Sequence, residues 1–201
     1  DGYVGASRAL EVFAEAYAQT GTVTDSPRTV RKEAYAFNAG ARYVGLGLEP
    51  LWIEAACSER SGDRSVSSRT DQAFQSYENE NRFLILQSAE FGLDVDTNVQ
   101  VLRVTLGYGP IPVEGRPLRL QLDLGRFTAM TALFDETGAR VAGSQRQWGV
   151  EIDPSASWDY NESLTFNVQL GYLTHSELLG ALTTRGATHA LLAVLGVNFR
   201  F

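Results

Sequence analysis

The last eleven residues of the sequence alternate between two kinds of side chain. From Leu191 to Phe201 every second residue is apolar, and Gly196, Asn198 and Arg200 lie between the last apolar residues. Successive side chains of a β-strand point to opposite faces, so this segment would have one apolar and one polar face. The pattern predicts a strand at the boundary between an apolar and a polar environment, either at a membrane or in a soluble β-sandwich.

The same period of two recurs along most of the 201 residues. Segments rich in Gly, Pro, Asn, Asp and Ser separate the alternating ones, as expected for turns and loops. In the clearest case, four leucines between 118 and 124 oppose Arg119, Gln121 and Asp123. Eight strands are predicted: Leu10 to Gln19, Ala34 to Val44, Leu51 to Arg60, Val99 to Gly109, Leu118 to Phe127, Trp148 to Tyr160, Leu164 to His175 and His189 to Phe201.

Composition narrows the class of protein. The length suits a single domain over residues 1–201. The sequence contains no apolar run of about 18 residues, which a transmembrane helix needs, whereas most predicted strands reach the about 9–11 residues that cross a bilayer. A net charge of -7 without a basic stripe argues against a nucleic-acid partner. Because the sequence starts at Asp1 without a leader, we expect a processed or truncated chain.

Together these features predict an all-β fold, an antiparallel transmembrane β-barrel of about eight strands in the outer membrane of a Gram-negative bacterium. Such barrels have short periplasmic turns and long extracellular loops. The connections alternate in this way. Those predicted to be long are Thr20 to Arg31, Ser61 to Asn98, Ala129 to Gln147 and Glu177 to Gly186. Those predicted to be short are Leu46 to Glu49, Pro110 to Arg116 and Asn161-Glu162. With the long connections outside, both termini are expected in the periplasm.

The alternation also assigns side chains to the two faces. One set of charged residues is predicted to line the lumen: Glu11, Glu15, Arg42, Glu54, Arg103, Arg119, Asp123, Glu151, Asp153, Asp159 and Arg200. On the opposite face, aromatic residues near strand ends are predicted to lie at the membrane interfaces, where such rings are favoured. These are Tyr35, Tyr43, Tyr108, Trp148, Trp158, Tyr160, Tyr172, Phe199 and Phe201.

Two features disturb the regular pattern. The connection from Ser61 to Asn98 is longer than an unstructured loop usually is, and it carries the apolar run Phe83 to Leu86. We expect it either to fold inward as a plug or to cap the barrel. Pro154 lacks a backbone donor within a predicted strand, and we expect a β-bulge to accommodate it.

Several segments resemble the C-terminal part of alginate-export-type outer-membrane porins, over about residues 49–201. They are Trp52-Ile53-Glu54-Ala55-Ala56, Ser61-Gly62-Asp63, Phe74 to Arg82, Leu102 to Gly107, Trp148-Gly149-Val150-Glu151-Ile152-Asp153 and Leu170-Gly171-Tyr172-Leu173-Thr174-His175. The resemblance implies a larger barrel that moves an anionic polysaccharide through a basic lumen. The predicted lumen here holds more acidic than basic residues, which opposes a polyanion. The chain is therefore either one segment of a bigger barrel or a barrel without the export activity.

The charged residues of a narrow lumen are expected to pair with one another, and the candidate pairs are Arg119 with Asp123 and Arg200 with nearby acidic residues. The alternatives are a salt-bridged plug and a charge-lined conduction path. His175 and Ser176 invite comparison with lipid-modifying barrel enzymes, but neighbours on a strand point to opposite faces. The residues Asp94, Asp96 and Asn98 have the spacing of a calcium loop without its glycine and glutamate, so we expect no metal site there.

For function, the sequence predicts a porin or transport protein in which residues 61–98 constrict a lumen of mixed charge. No enzymatic activity and no cofactor are expected. The expected partners are outer-membrane lipids and the barrel-assembly machinery, which would bind the strand ending in Phe201; another protein subunit or a polysaccharide is a further candidate. The alternative is a closed barrel with a structural or partner-binding role, and a lipid-modifying enzyme is the third possibility.

Overall fold

The computed structural model describes residues 9–25, 28–45, 50–63, 69–76, 82–90, 92–132, 147–182 and 186–200. Its strands are β1 (Ala9–Asp25), β2 (Arg28–Val44), β3 (Leu51–Arg60), β4 (Thr70–Asp71), β5 (Val99–Val113), β6 (Arg116–Ala129), β7 (Gln147–Asp159), β8 (Leu164–Thr174) and β9 (Ala190–Phe199). One short helix, α1 (Glu177–Leu182), follows β8. The strands form one sheet, and all of its main neighbours are antiparallel. The prediction of an all-β antiparallel fold is therefore confirmed.

The sheet follows the order of the sequence. Each long strand pairs with the next along the chain, from β1 to β9, and the two-residue strand β4 pairs in parallel with Arg31 and Lys32 at the side of this path. Consecutive antiparallel pairs need only turns or loops between them, which suits the spacing of Gly, Pro and Asn in the sequence. None of the helices in the described part of the chain is long and apolar enough to span a membrane.

Two of the predicted connections are shorter in the structure. β1 continues to Asp25 and β2 begins at Arg28, so the long connection predicted from Thr20 to Arg31 is wrong. Thr and Val dominate the extra residues, and both favour extended backbone. Between β5 and β6 the turn contains only Glu114 and Gly115, both with positive φ, as in a tight two-residue hairpin.

The remaining connections have the predicted arrangement. Residues 61–98, 130–146 and 175–189 are long and leave from one end of the sheet, here termed the loop end. The short connections, residues 45–50, 114–115 and 160–163, join strands that end at the opposite end of the sheet, here termed the turn end. The β1–β2 hairpin also points to the loop end. It extends beyond the rest of the sheet, because β3 pairs only with β2 residues 36–44.

The sheet is open. Its first and last strands are β1 and β9, and within the described residues no Cα atom of β1 lies within 8 Å of a Cα atom of β9. Closure into a barrel is thus not a property of this structure and remains a prediction.

The two faces of the sheet differ in chemistry. The inner face is defined here as the face covered by the connection that follows β3, and the outer face is the opposite one. Apolar outer residues on neighbouring strands lie side by side in rows, and one such row runs through Val104, Leu124, Ile152, Tyr172 and Leu191. Many outer side chains are exposed, up to 79% for Leu195.

Irregular pairing in β7 differs from the prediction. The register with β6 continues unchanged through Leu122 and Pro154, so the bulge expected at Pro154 is wrong. Pairing with β8 is instead interrupted beside the proline, between Ile152 and Ser155, without a register shift. The bulge lies at Trp148, where the register with β6 shifts.

The bulge reverses the facing of Trp148. The regular alternation predicts that this ring points outward to a membrane interface, but the structure buries it in the inner-face core at 3% exposure, so the predicted facing is wrong. An extra residue in one strand flips the following side chain to the other face, and sequence alternation alone cannot reveal it.

Candidate functional site

A short turn from the long β3–β5 connection lies on the inner face. Residues 83–88, here termed the inserted turn, form one helical turn in which Gln87 N donates to Phe83 O at 3.2 Å. All six residues are buried. The apolar run therefore packs against the sheet, and whether it plugs or caps a barrel stays a prediction.

Apolar contacts hold the inserted turn against β5, β6 and β8. The rings of Phe83 and Phe127 meet edge to face with centroids 5.0 Å apart. Burying a side chain of this size contributes about 1.5–3 kcal/mol. The buried cluster around the turn comprises Phe83, Ile85, Leu86, Val99, Val101, Phe127, Ala129, Trp148, Leu173 and Leu178. This cluster occupies the inner face near the loop end.

Two glycines on the inner face make room for the inserted turn. A Cβ atom at Gly125 in β6 would overlap the ring of Phe83. A Cβ atom at Gly171 in β8 would lie 3.1 Å from Leu84 Cβ and 3.2 Å from Ile85 Cγ1. Glycine weakens a strand interior, and a common reason for its presence is the close approach of another segment. The sheet is therefore shaped to accept this turn.

Two carboxylates of β7 bind the backbone of the inserted turn. Leu84 N donates to Asp153 Oδ2 at 2.6 Å. Ile85 N and Leu86 N donate to the two oxygens of Glu151, the latter at 2.9 Å. The first N–H groups of a helical turn have no acceptor within the turn, and a carboxylate there is favourable. Glu151 and Asp153, here termed the anchor carboxylates, are 0% and 1% exposed.

A second group of charges lies beside the anchor carboxylates. Glu54 Oε1 accepts from Arg103 Nη2 at 2.6 Å and from Arg82 Nη1 at 2.9 Å. Arg82 immediately precedes the inserted turn, and Glu54 and Arg103 are each 8% exposed. Charges removed from water need partners of this kind, and removing one partner of a buried pair is strongly destabilising. The group therefore ties the start of the inserted turn to β3 and β5.

Asp123 has different partners from those expected. Its two oxygens accept from Thr105 Oγ1 and Gln121 Nε2. Arg119 instead donates to Asp159 Oδ2 at 2.9 Å, so the predicted pair of Arg119 with Asp123 is wrong. Residues four apart on a strand are about 13 Å apart, which is too far for contact.

Strand pairing aligns many of the predicted lumen residues. Glu11, Arg42, Glu54, Thr105, Asp123 and Asp153 lie in one row across six strands of the inner face. Within it, the guanidinium of Arg42 lies 4.1 Å from the ring centre of Trp52, a cation–π contact. The predicted residues outside this row are Glu15, Arg103, Arg119, Glu151, Asp159 and Arg200; of these, Glu15, Arg119 and Arg200 are exposed.

A polar hollow lies on the inner face between the inserted turn and the turn end. It has a volume of about 430 Å³. Its polar lining consists of Arg82, Gln121, Asp123, Ser155, Ser157, Asn167 and Gln169. Among the described residues, the inner face thus has an apolar filled half near the loop end and a polar hollow half near the turn end.

Sequence reasoning missed several parts of this site. Thr105 and Gln121 form hydrogen bonds to Asp123, but nothing in the alternation distinguishes them from other inward polar residues. Arg82 lies in a connection whose path the sequence does not define. Gly125 and Gly171 were the available signal, because a glycine inside a regular strand indicates a close approach.

Most of the predicted interface aromatics lie on the outer face. Trp158 packs edge to face on Tyr160, with ring centroids 5.4 Å apart, and stacks on Phe166 at 6.2 Å, near the turn end. The other described members of the set, apart from the inward Trp148, are Tyr35, Tyr43, Tyr108, Tyr172 and Phe199. Phe201 lies outside the described residues.

The two residues compared with those of lipid-modifying enzymes lie directly after β8. Ser176 caps helix α1, where its Oγ accepts from Leu179 N at 3.0 Å, and the residue is fully buried. His175 is exposed, with a ring nitrogen 3.1 Å from Thr174 Oγ1. In the part of the chain that the structure describes, no cluster of three or more His, Cys, Asp or Glu residues could hold a metal ion.

No protein-family model matches this sequence, and no curated protein is significantly similar to it. The resemblance to alginate-export porins therefore stays a prediction.

Proposed function

We propose that this protein is an outer-membrane β-barrel of porin or transport type, and that the inserted turn constricts its lumen. One observation carries the proposal: the outer face of the sheet is apolar and exposed, whereas several charged residues of the inner face are buried. Leu195 is 79% exposed and Val12 75%, whereas Glu151 and Asp153 are almost fully buried. A soluble sheet would have the opposite arrangement.

The extent of the apolar surface supports a membrane location. Outer residues of β9 from Leu191 to Phe199 span about 27 Å along the strand, at about 3.4 Å per residue. A strand tilt of about 40° reduces this length to about 20 Å across the membrane, close to the apolar band of about 25 Å in known barrels. Soluble monomers rarely expose contiguous apolar patches of more than a few hundred Å². Aromatic rings near the turn end suit an interfacial girdle.

In this proposal the protein lies in the bacterial outer membrane with both termini in the periplasm. Its partners are outer-membrane lipids and the barrel-assembly machinery. The inner face carries more acidic than basic groups near the constriction, with the carboxylates of Glu54, Asp123, Glu151 and Asp153 against the guanidinium groups of Arg42, Arg82 and Arg103. Such a lumen favours small cations and opposes polyanions. The architecture of alginate-export porins is thus proposed here without their polysaccharide cargo.

Single-channel recording tests the proposal. The refolded chain is inserted in a planar bilayer, and currents are recorded with cations and anions of graded size. We expect small steady openings with cation preference. Asp123→Asn should lower the cation-to-anion permeability ratio, because Asp123 faces the polar hollow, whereas Glu162→Gln in the exposed β7–β8 turn should leave it unchanged.

The filled half of the inner face favours a second candidate, a closed barrel with a structural or partner-binding role. Side chains largely fill an eight-stranded barrel, and here the apolar cluster around Phe83 already occupies the loop end. A folded, membrane-inserted protein without conductance that co-purifies with another subunit would favour this candidate over a channel.

A further inference from the structure

The two outermost strands of the sheet are long and lack a second neighbour. β1 has 17 residues and β9 has 10, and in the described chain each pairs with one strand only. In the hydrocarbon of a membrane, an unpaired strand edge leaves backbone polar groups without partners, so only closed sheets span membranes. The proposed function therefore requires a strand beside each edge.

We infer that β9 pairs with β1 of the same chain and closes an eight-stranded barrel in which Leu195 lies beside Ala16. This inference rests on the proposed function. Eight consecutive antiparallel strands give the first and the last opposite directions, so the two edges can form an antiparallel pair without rearranging the sheet.

The observed stagger of the apolar band gives the register. Ala14 is the centre of the outer apolar residues of β1, and successive pairs align it with Cys57 of β3. Leu195 is the centre for β9, and successive pairs align it with Leu51 of β3. Cys57 and Leu51 are six residues apart in β3. The centre of the apolar band therefore moves six residues toward the turn end over the seven steps from β1 to β9. Extrapolation gives about seven residues over the eight steps of a closed barrel.

Barrel geometry selects one value near this estimate. The stagger must be even, because inner residues lie beside inner residues. Strands tilted by about 35–45° in an eight-stranded barrel need a stagger of about 8–12 residues, at about 4.8 Å between strands and about 3.3 Å per residue. Eight is the even stagger within this range that lies nearest to the extrapolated value of about seven residues. The row of paired residues that runs from Leu195 across the sheet extrapolates to sequence position 8 beside β2. A stagger of eight residues places the partner of Leu195 in the closed barrel eight positions further along the chain, at Ala16.

The side chains along the proposed contact between β9 and β1, here termed the seam, complement one another. On the outer face, Val197 and Leu195 lie opposite the small residues Ala14 and Ala16. On the inner face, Arg200 lies opposite Glu11, and opposite charges at directly paired positions stabilise a sheet. The count of stagger uses outer apolar residues and neither Glu11 nor Arg200, so the opposite charges of this pair are an independent argument for the register.

Cysteine cross-linking in vesicles tests the seam. In a Cys57→Ala background, Ala16→Cys is combined with Leu195→Cys, and the refolded, vesicle-inserted protein is oxidised and run on a non-reducing gel. We expect an intramolecular disulfide, seen as a faster-migrating monomer. Ala16→Cys with Phe37→Cys, an observed pair, is the positive control. Ala16→Cys with Leu191→Cys, four residues out of register, should not cross-link.

The outcomes separate this inference from the proposed function. A cross-linked dimer would mean that a second copy completes the edges, and absence of cross-linking in a protease-protected, inserted protein would mean that other strands do so. Either result would contradict the proposed pairing of β9 with β1 and would leave the proposal of a membrane barrel standing. Failure of the Cys57→Ala parent to insert would overturn both. As a second readout, unfolding midpoints of Glu11→Gln, Arg200→Gln and the double variant should be non-additive if the seam forms and additive if the edges stay apart.

Discussion

Leu86 and Glu151 are 65 positions apart in the sequence, yet the backbone nitrogen of Leu86 lies 2.9 Å from a carboxylate oxygen of Glu151. The other oxygen of the same carboxylate accepts from Ile85 N. Both carboxylate oxygens of Glu151 thus accept hydrogen bonds from adjacent N–H groups of the inserted turn. Glu151 therefore accepts two of the three backbone hydrogen bonds that the anchor carboxylates receive from the turn.

Glu151→Gln should destabilise the protein by about 1–3 kcal/mol, because the amide offers one acceptor and directs its NH₂ group at a buried backbone donor. The free energy of unfolding in urea, measured in detergent or vesicles, checks this. Glu15→Gln is the matched control, since Glu15, in β1, also lies on the inner face of the sheet but is exposed. Equal losses for the two variants would contradict the anchoring role of Glu151.

Gly125→Ala should cost about 1–3 kcal/mol, because the added methyl group overlaps the buried ring of Phe83. Adding Phe83→Leu should recover part of the loss. Gly196→Ala in β9 is the control: its Cβ would meet Asn167 Cβ at 3.6 Å, an ordinary contact. Equal stability of Gly125→Ala and Gly196→Ala would contradict the conclusion that Gly125 makes room for the inserted turn.

Leu122→Arg should destabilise the membrane-inserted protein by about 2–4 kcal/mol, because Leu122 lies on the proposed lipid face near the membrane centre. Gln121→Arg, one residue earlier and on the inner face, should cost much less. Unfolding from lipid vesicles measures both. Similar losses at the two positions would rule out the assignment of faces to lipid and lumen.

Asp96 gives a prediction for pH. It lies in the segment that leads from the inserted turn to β5, where burial and the neighbouring charge of Asp94 raise its pKa above the ordinary value of 3.8. A raised pKa in the folded state means that folding binds the proton more tightly, so this contribution to stability is complete below the ordinary pKa and is lost as the pH rises through the folded value.

Asp96→Asn should therefore increase the unfolding midpoint at neutral pH and have little effect at a pH below 3.8, the ordinary value. Unfolding curves at the two pH values, compared with those of the parent, measure the difference. A midpoint that shifts equally at both values would show that the change acts through packing rather than ionisation.

The sequence predicted the strands well, because apolar and polar residues alternate along most of them. Leu120 to Leu124 illustrates this, with a register that continues through both neighbouring strands. The exceptions are local. One extra residue at Trp148 turned its ring inward, and extended Thr and Val residues lengthened the β1–β2 hairpin where a loop was expected.

The site was predictable only in part. The alternation identified Glu54, Arg103, Asp123, Glu151 and Asp153 as inward residues, and all five are buried. Their partners could not be read from it. Arg82 and the N–H groups of the inserted turn reach the sheet through a long connection, and which donor meets which carboxylate depends on the path of that connection and on its packing.

The anchor carboxylates bind backbone groups, and this has a consequence for how the protein can change during evolution. The hydrogen bonds from residues 84–86 do not depend on the identity of their side chains. Substitutions in the turn can therefore alter the shape and polarity of the surface it presents while its attachment persists. The constraint on sequence should fall on distant positions of the sheet, Glu151, Asp153, Gly125 and Gly171, so that relatives can vary the surface of the turn while sharing one scaffold.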